Sequence, residues 1–205
     1  MDKKLHWENI YQTKQPTEVS WYQPEPTESF AFVTENKVPK TARIIDVGGG
    51  DSLFVDTLLS AGYQNVSVLD ISETALAKAK LRLGELASKV NWFVSDILEF
   101  SATQPFDFWH DRAVFHFLTT EAEIQAYLSL VEKLLKPEGI LAIGTFSENG
   151  PLKCSGIPVR QYSQQALIDR FGNAFQKLHC FQHNHLTPFQ TIQNFTFCSF
   201  QKKAA

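Results

Sequence analysis

The run Arg43-Ile44-Ile45-Asp46-Val47-Gly48-Gly49-Gly50-Asp51-Ser52 confines this chain to a small set of folds. β-Branched residues lead to an acid, and a triple glycine follows at once. Leu53, Phe54, Leu58 and Leu59 then recur at helical spacing until Gly62. This pattern predicts a strand, a tight turn and a helix N-terminus, which open a nucleotide-binding α/β unit. A turn so sharp needs positive φ, and glycine puts no Cβ between backbone and ligand. An adenosine-containing ligand is the first expectation, and glycine alone does not say which.

The following segments repeat the alternation. Asn65–Asp70 reads as a second strand, with Ser72 capping a helix whose apolar line is Leu76, Ala79, Leu83 and Leu86. Lys78, Lys80 and Arg82 read as the solvated face of that helix. Val90–Asp96 is a third strand, and Phe106–Trp109 a fourth that runs into His110-Asp111-Arg112. Thr120 with Glu123 makes a capping box before the stripe Ile124, Tyr127, Leu128, Val131, Leu134 and Leu135. Lys136-Pro137-Glu138-Gly139 ends that helix and Ile140–Phe146 is a fifth strand. Ser163 caps a short helix to Gly172. Phe175–Leu186 and Thr191–Gln201 then form a hairpin across Thr187-Pro188-Phe189-Gln190. The prediction is an α/β, Rossmann-like, doubly wound sheet of seven strands, mostly parallel and closed by an antiparallel hairpin. One domain spans 1–205, with an N-terminal lid segment (1–40), a cofactor-binding core (41–147) and a substrate-side loop with the hairpin (148–205). In the lid, Trp7, Ile10 and Tyr11 share a helical face. Two prolines keep Ser20-Trp21-Tyr22-Gln23-Pro24-Glu25-Pro26 irregular, and Thr27–Lys37 can form a helix.

Four successive strand ends carry an acid: Asp46, Asp70, Asp96 and Asp111. Ligands of open α/β sheets sit beyond these carboxyl ends. Asp70 falls about 20 residues past the glycines, where a carboxylate can accept from both ribose hydroxyls. Asp96 is placed to read an adenine amino group. Leu53 stands where the dinucleotide fingerprint wants glycine or alanine. Asp46 and Asp51 are poor company for a pyrophosphate but suit an ammonium or sulfonium. No second substrate domain follows. These points favour S-adenosylmethionine over NAD. A Rossmann module that binds NAD or another adenosine ligand without methyl transfer remains the alternative.

On these residues the chain resembles the class I S-adenosylmethionine-dependent methyltransferases over nearly its whole length. The resemblance implies that Asp46, Gly48 and Gly50 hold the methionine end of the cofactor. Asp70 would take the ribose, and Asp96 with Ile97 the adenine. Trp21, Gly49, Asp51, Ile71 and Asp111 are further cofactor candidates. Leu135-Lys136-Pro137-Glu138-Gly139 is similar to the family's approach to the fifth strand, with Glu138 replacing a glycine. Trp7-Glu8-x-x-Tyr11, Trp21-Tyr22-Gln23-Pro24, Trp109–Phe117 and Lys153-Cys154-Ser155-Gly156 resemble a bacterial group within that family. Protein-lysine methyltransferases with an Asp-Lys-Gly motif are more distant, and Asp111-Arg112-Ala113 stands at that motif here.

Methyl transfer from a sulfonium is mainly a matter of alignment, so a base is needed only for a protonated acceptor. Asp111 and His116, with His110 beside them, are the candidate bases; a packed histidine and a structural Asp111–Arg112 ion pair are the competing readings. Tyr22, Arg112 and Arg160 are candidate substrate contacts, on a substrate-facing loop that runs from Lys153 to Arg160. The acceptor is expected to be a small molecule, with a protein lysine as runner-up. Net charge is -3 at pH 7, and no motif for holding an exocyclic base amine follows the fourth strand, so no nucleic-acid partner is expected. No run reaches the ~18 apolar residues of a membrane span. No metal site is expected: His183-x-His185 lacks a third ligand and reads as surface. Three widely spaced cysteines without a CxxC predict no disulfide framework. With no secretory leader in view, the expectation is a reduced, cytoplasmic chain, monomeric or weakly dimeric.

Overall fold

The computed structural model describes residues 2–204. Helices α1 (Lys3–Thr13) and α2 (Thr27–Glu35) flank the proline-bearing segment, which stays irregular apart from a 3-10 turn at Pro16–Glu18. The alternating core follows: β1 (Arg43–Val47), α3 (Phe54–Ser60), β2 (Asn65–Asp70), α4 (Glu73–Leu83) and β3 (Val90–Val94). It continues with β4 (Phe106–Arg112), α5 (Glu121–Leu134) and β5 (Leu135–Phe146). A small ladder of β6 (Lys153–Cys154) and β7 (Ile157–Pro158) precedes α6 (Gln164–Phe171) and the hairpin β8 (Phe175–Leu186) with β9 (Ile192–Lys202).

The sheet runs β3-β2-β1-β4-β5-β9-β8, parallel from β3 to β5 and antiparallel at β9 and β8. Seven strands, mostly parallel and closed by an antiparallel hairpin, are as predicted. The order reverses between β1 and β4, the topological switch point where such sheets hold ligands. Strand alternation feeds two hydrophobic layers. Ile45, Val47, Trp109 and Ile143 pack under α5 and α6, against Ile124, Tyr127, Val131, Leu167 and Phe171. Ile44, Val68, Phe108 and Ala142 face the other way, against Phe32 and Val33 of α2 and Phe54, Val55 and Leu58 of α3. The predicted caps hold: the Ser72 hydroxyl accepts from the Ala75 amide, Ser163 from Ala166, and Thr120 with Glu123 closes a capping box.

Several local expectations are corrected. Strand β5 begins at Leu135, not Ile140, because Leu135 pairs with Phe106 and is buried there. Glu138 absorbs the irregularity at φ 62°. Strand β4 continues to Arg112, since Ala142, Ile143 and Gly144 pair with His110, Asp111 and Arg112. Gly84 ends α4, leaving Leu86 outside the helix and exposed. The segment from Lys153 to Pro158 is a small hairpin rather than a loop. Ser155 and Gly156 both sit at positive φ, the backbone that a two-residue turn demands.

His185 is buried, its Nε2 2.7 Å from the Ser20 carbonyl oxygen, so it is not a surface residue. His183 pairs with Glu28 instead. Cys180 and Cys198 face each other across β8 and β9 and are joined by a disulfide, while Cys154 is free and buried. The chain is therefore not wholly reduced. Facing positions brought two widely spaced cysteines together, which spacing alone does not reveal. No helix among the described residues is long and apolar enough to cross a membrane.

The β5–β9 seam is closed by a row of rings. Phe195, Phe197 and Phe181 stack at centroid distances of 5.6 and 5.4 Å, and a Cβ at Gly144 would lie 2.4 Å from the Phe197 ring. Held between its neighbours, that ring has little room to retreat. Gly144→Ala is expected to cost about 1–3 kcal/mol through overpacking, measured as a lower urea midpoint with an unchanged m-value.

Candidate active site

The turn after β1 lies against its neighbours with no space for side chains. A Cβ on Gly48 would come 2.0 Å from Val114 Cγ2, and one on Gly50 2.6 Å from the Tyr11 hydroxyl. Both glycines also hold positive φ, at 67° and 50°. The Gly48 and Gly49 amides donate to the Leu69 carbonyl, which folds the turn over the sheet. Arg82 braces it from outside. Its guanidinium donates to the Asp51 and Ser52 carbonyls and to the Asp56 carboxylate. This helix face is therefore a support for the turn, not only a solvated surface. Lys78 reaches the Lys14 carbonyl at the end of α1 in the same way.

A cavity opens above this turn. Asp46, Gly48, Gly49, Asp51, Asp70, Ile71, Asp96 and Ile97 line one part. Trp7, Tyr11, Trp21, Tyr22, Phe117 and Cys154 line the other, with Ser29, His110 and Arg112 between them. Most predicted cofactor residues therefore share one wall. Gly50 stands behind it, shaping the turn. Asp70 is buried, with Oδ1 accepting from the Ser72 amide at 2.8 Å. Burial raises its pKa to about 7; the Ser72 amide pulls it down, and Asp51 and Asp46 push it up. Burial likewise raises the Asp51 carboxyl. Asp96 takes the Leu98 amide with Oδ1 at 2.9 Å, capping a 3-10 turn while it faces the cavity.

Other predicted residues lie elsewhere, and for Asp111 the cause is strand alternation. Asp111 points away from the cavity into the α5 layer. It accepts from the Tyr127 hydroxyl at 2.6 Å and from the Val114 and Phe115 amides at 2.9 and 3.2 Å. Burial raises its pKa to about 6 despite these donors. It is a support for the chain after β4, outside the cavity lining and not ion-paired with Arg112. His116 is fully buried, its Nδ1 accepting from the Phe146 amide at 3.2 Å. Burial, with Arg112 nearby, lowers its pKa to about 3, so it packs as a neutral ring. Arg160 is tied to Glu121 at 2.7 Å outside the cavity.

Arg112 does line the cavity. Nη1 donates to the Trp21 carbonyl at 3.0 Å, whereas Nε and Nη2 are shielded and without a partner. Burial lowers its pKa to about 10. Ser29 carries no sequence signal, and Tyr11 and Cys154 stand out only within Trp7-Glu8-x-x-Tyr11 and Lys153-Cys154-Ser155-Gly156. All three line the cavity. They meet because α1, α2 and β6 converge.

Four carboxylates against few cations suit a ligand that carries positive charge, and the glycine turn leaves room for close backbone approach. Asp46 Oδ2, buried and without a partner, is an acceptor awaiting a donor such as an ammonium. The residues present therefore fit S-adenosylmethionine. Residues 45–141 match the family model described as a methyltransferase domain. The match spans just under half of the chain, from β1 into β5. Nodulation protein S of Sinorhizobium fredii is 29% identical over 102 residues, covering 49% of this chain and 46% of that protein. N-terminal Xaa-Pro-Lys N-methyltransferase 1 of Rattus norvegicus is 30% identical over 107 residues, covering 50% and 47%. The chain thus spans about half the length of these curated relatives. The crystal structure of the N-methyltransferase NodS from Bradyrhizobium japonicum WM9 with S-adenosyl-l-homocysteine aligns with TM-score 0.74 at 16% identity, covering 98% of this chain and 99% of that one. That likeness is one of fold.

Two outcomes follow for solution work. Ribose hydroxyls seated on Asp70 would donate to its carboxylate form, so S-adenosylhomocysteine affinity is expected to rise as pH is raised through about 7. Asp70→Asn should flatten that rise and weaken binding by about tenfold or more, measured by calorimetry from pH 5.5 to 8.5. Tyr127→Phe removes a donor from a buried carboxylate and should lower stability by about 1–3 kcal/mol. Its affinity for S-adenosylhomocysteine should stay within about twofold.

Proposed function

We propose that this chain transfers the methyl group of S-adenosylmethionine to a nucleophile on a small molecule seated beneath residues 1–40. The observation that carries this is the clamping of α1 across the cavity. The Glu8 carboxylate accepts from the Glu73 and Thr74 amides at the start of α4, at 2.6 and 3.3 Å. Lys3 pairs with Glu123 at 2.8 Å. Beneath the helix, Trp7 meets Trp21 and Phe117 edge-on at 5.6 and 5.3 Å, and Tyr11 meets Trp21 at 6.3 Å. An acceptor held in this aromatic slot is shielded from water and restricted in size.

The bound cofactor supplies an already activated methyl electrophile. The chain's part is alignment, and holding an acceptor in line supplies about 7 kcal/mol or more of barrier reduction. We assign Asp46 and the turn from Gly48 to Asp51 to the methionine end, Asp70 and Ile71 to ribose, and Asp96 and Ile97 to adenine. Trp21, Tyr22 and Arg112 form the acceptor-side wall. Asp111 and His116 are assigned structural roles, because neither reaches the cavity. Neither of these two can then serve as the base for an acceptor that arrives protonated.

A protein acceptor is the second reading, favoured by the similarity to an enzyme whose name specifies protein N-termini. Incubating the chain with methyl-labelled S-adenosylmethionine and a lysate split by size separates the two. Label is expected in the small-molecule fraction, and label confined to macromolecules would reverse the assignment. Opening the slot by Trp21→Ala should raise the apparent KM for that fraction's acceptor more than for the cofactor.

A further inference from the structure

Between the glycine turn and α2, three side chains form a hydrogen-bonded chain through the cavity wall. Asp46 of β1 and His110 of β4 are register partners in parallel strands, so both rise from the same face of the sheet. His110 Nδ1 lies 2.6 Å from Asp46 Oδ1, and His110 Nε2 lies 2.9 Å from Ser29 Oγ on α2. All three residues are buried, and Phe54 packs against the imidazole at 4.4 Å.

An ionised carboxylate only accepts, so Nδ1 carries the hydrogen toward Asp46. On the far side of the ring Nε2 bonds the Ser29 hydroxyl, which can donate or accept. The two bonds together fix the orientation of the ring. With Oδ1 engaged, the carboxylate can no longer rotate freely. Its other oxygen, Oδ2, is left without a protein donor and shielded from solvent. A buried carboxylate oxygen in that state is costly until a donor reaches it.

We infer that Ser29 and His110 are positioning residues that hold Asp46 in the orientation which receives the cationic amino group of the cofactor's methionine end. They act through Asp46. The order Asp–His–Ser has the composition of a nucleophilic triad. Here, however, the serine hydroxyl is buried and bonded to the ring, so it anchors the chain rather than attacking. The device also links α2 to the cofactor seat, 17 residues before Asp46 in sequence. The inference rests on the cofactor assignment.

The test compares two ligands by calorimetry: S-adenosylhomocysteine and 5′-methylthioadenosine, which shares adenosine and thioether but lacks the aminoacyl end. His110→Leu removes both hydrogen bonds, Ser29→Ala removes the outer one, and His110→Asn keeps an N–H near the Nδ1 position. His110→Leu should weaken S-adenosylhomocysteine binding about tenfold or more, and Ser29→Ala about threefold. His110→Asn should recover most of the His110→Leu loss. Binding of 5′-methylthioadenosine should stay within about twofold throughout. Equal losses for both ligands would reduce His110 and Ser29 to packing residues and overturn the inference, as would no loss for either. If His110→Leu does not fold, the ligand ratio in Ser29→Ala and His110→Asn decides. An unsubstituted chain that binds neither ligand would overturn the cofactor assignment and this role with it, an outcome distinct from a failure of the variants alone.

Discussion

The site depends on how closely the backbone after β1 approaches its surroundings. Where side chains at positions 48 to 50 would stand, Val114, Asp46, Val68 and the Tyr11 hydroxyl already fill the space. Any larger residue would push the turn off the sheet or displace α1. The hydrogen bonds from Gly48 and Gly49 to Leu69 then tie β1 to β2 at the level where both strands end. The acids at those ends owe their shared wall to that tie.

Gathering carboxylates in a buried wall has an electrostatic consequence. Each loses hydration and repels the others, which is why Asp70 titrates near pH 7 rather than near 4. The protein offsets part of this with backbone amides from Ser72 and Gly50 and with the guanidinium of Arg82 behind the turn. What is left over makes the wall selective. Its negative potential favours a ligand that carries positive charge and disfavours a phosphate. The same logic separates Asp111 from its neighbours. Its oxygens are already occupied by Tyr127 and two amides, so its burial supports the fold and leaves nothing for a ligand.

The N-terminal segment is held by contacts far apart in sequence. Glu8 caps α4, Lys78 holds the end of α1, and Arg112 and His185 hold the backbone carbonyls of Trp21 and Ser20. These bonds join three separate parts of the chain to one lid. The aromatic residues beneath it are thereby turned inward, although a composition rich in phenylalanine and tryptophan is compatible with plain core packing.

The sequence by itself determined the alternation of strands and helices, the hairpin that closes the sheet, the helix caps and the acids at four strand ends. These features follow from local periodicity and from the backbone preferences of glycine, serine and proline, which a short window of residues already contains. Tertiary structure decided which acids face the ligand. Asp46 and Asp111 sit alike in the sequence, yet β4 runs on to Arg112 and alternation turns Asp111 toward α5. It also decided the meeting of Cys180 with Cys198, the burial of His185, and the chain from Ser29 through His110 to Asp46. Each of these depends on strand register or on helix docking between residues distant in the chain, and side-chain direction is set only when those partners come together.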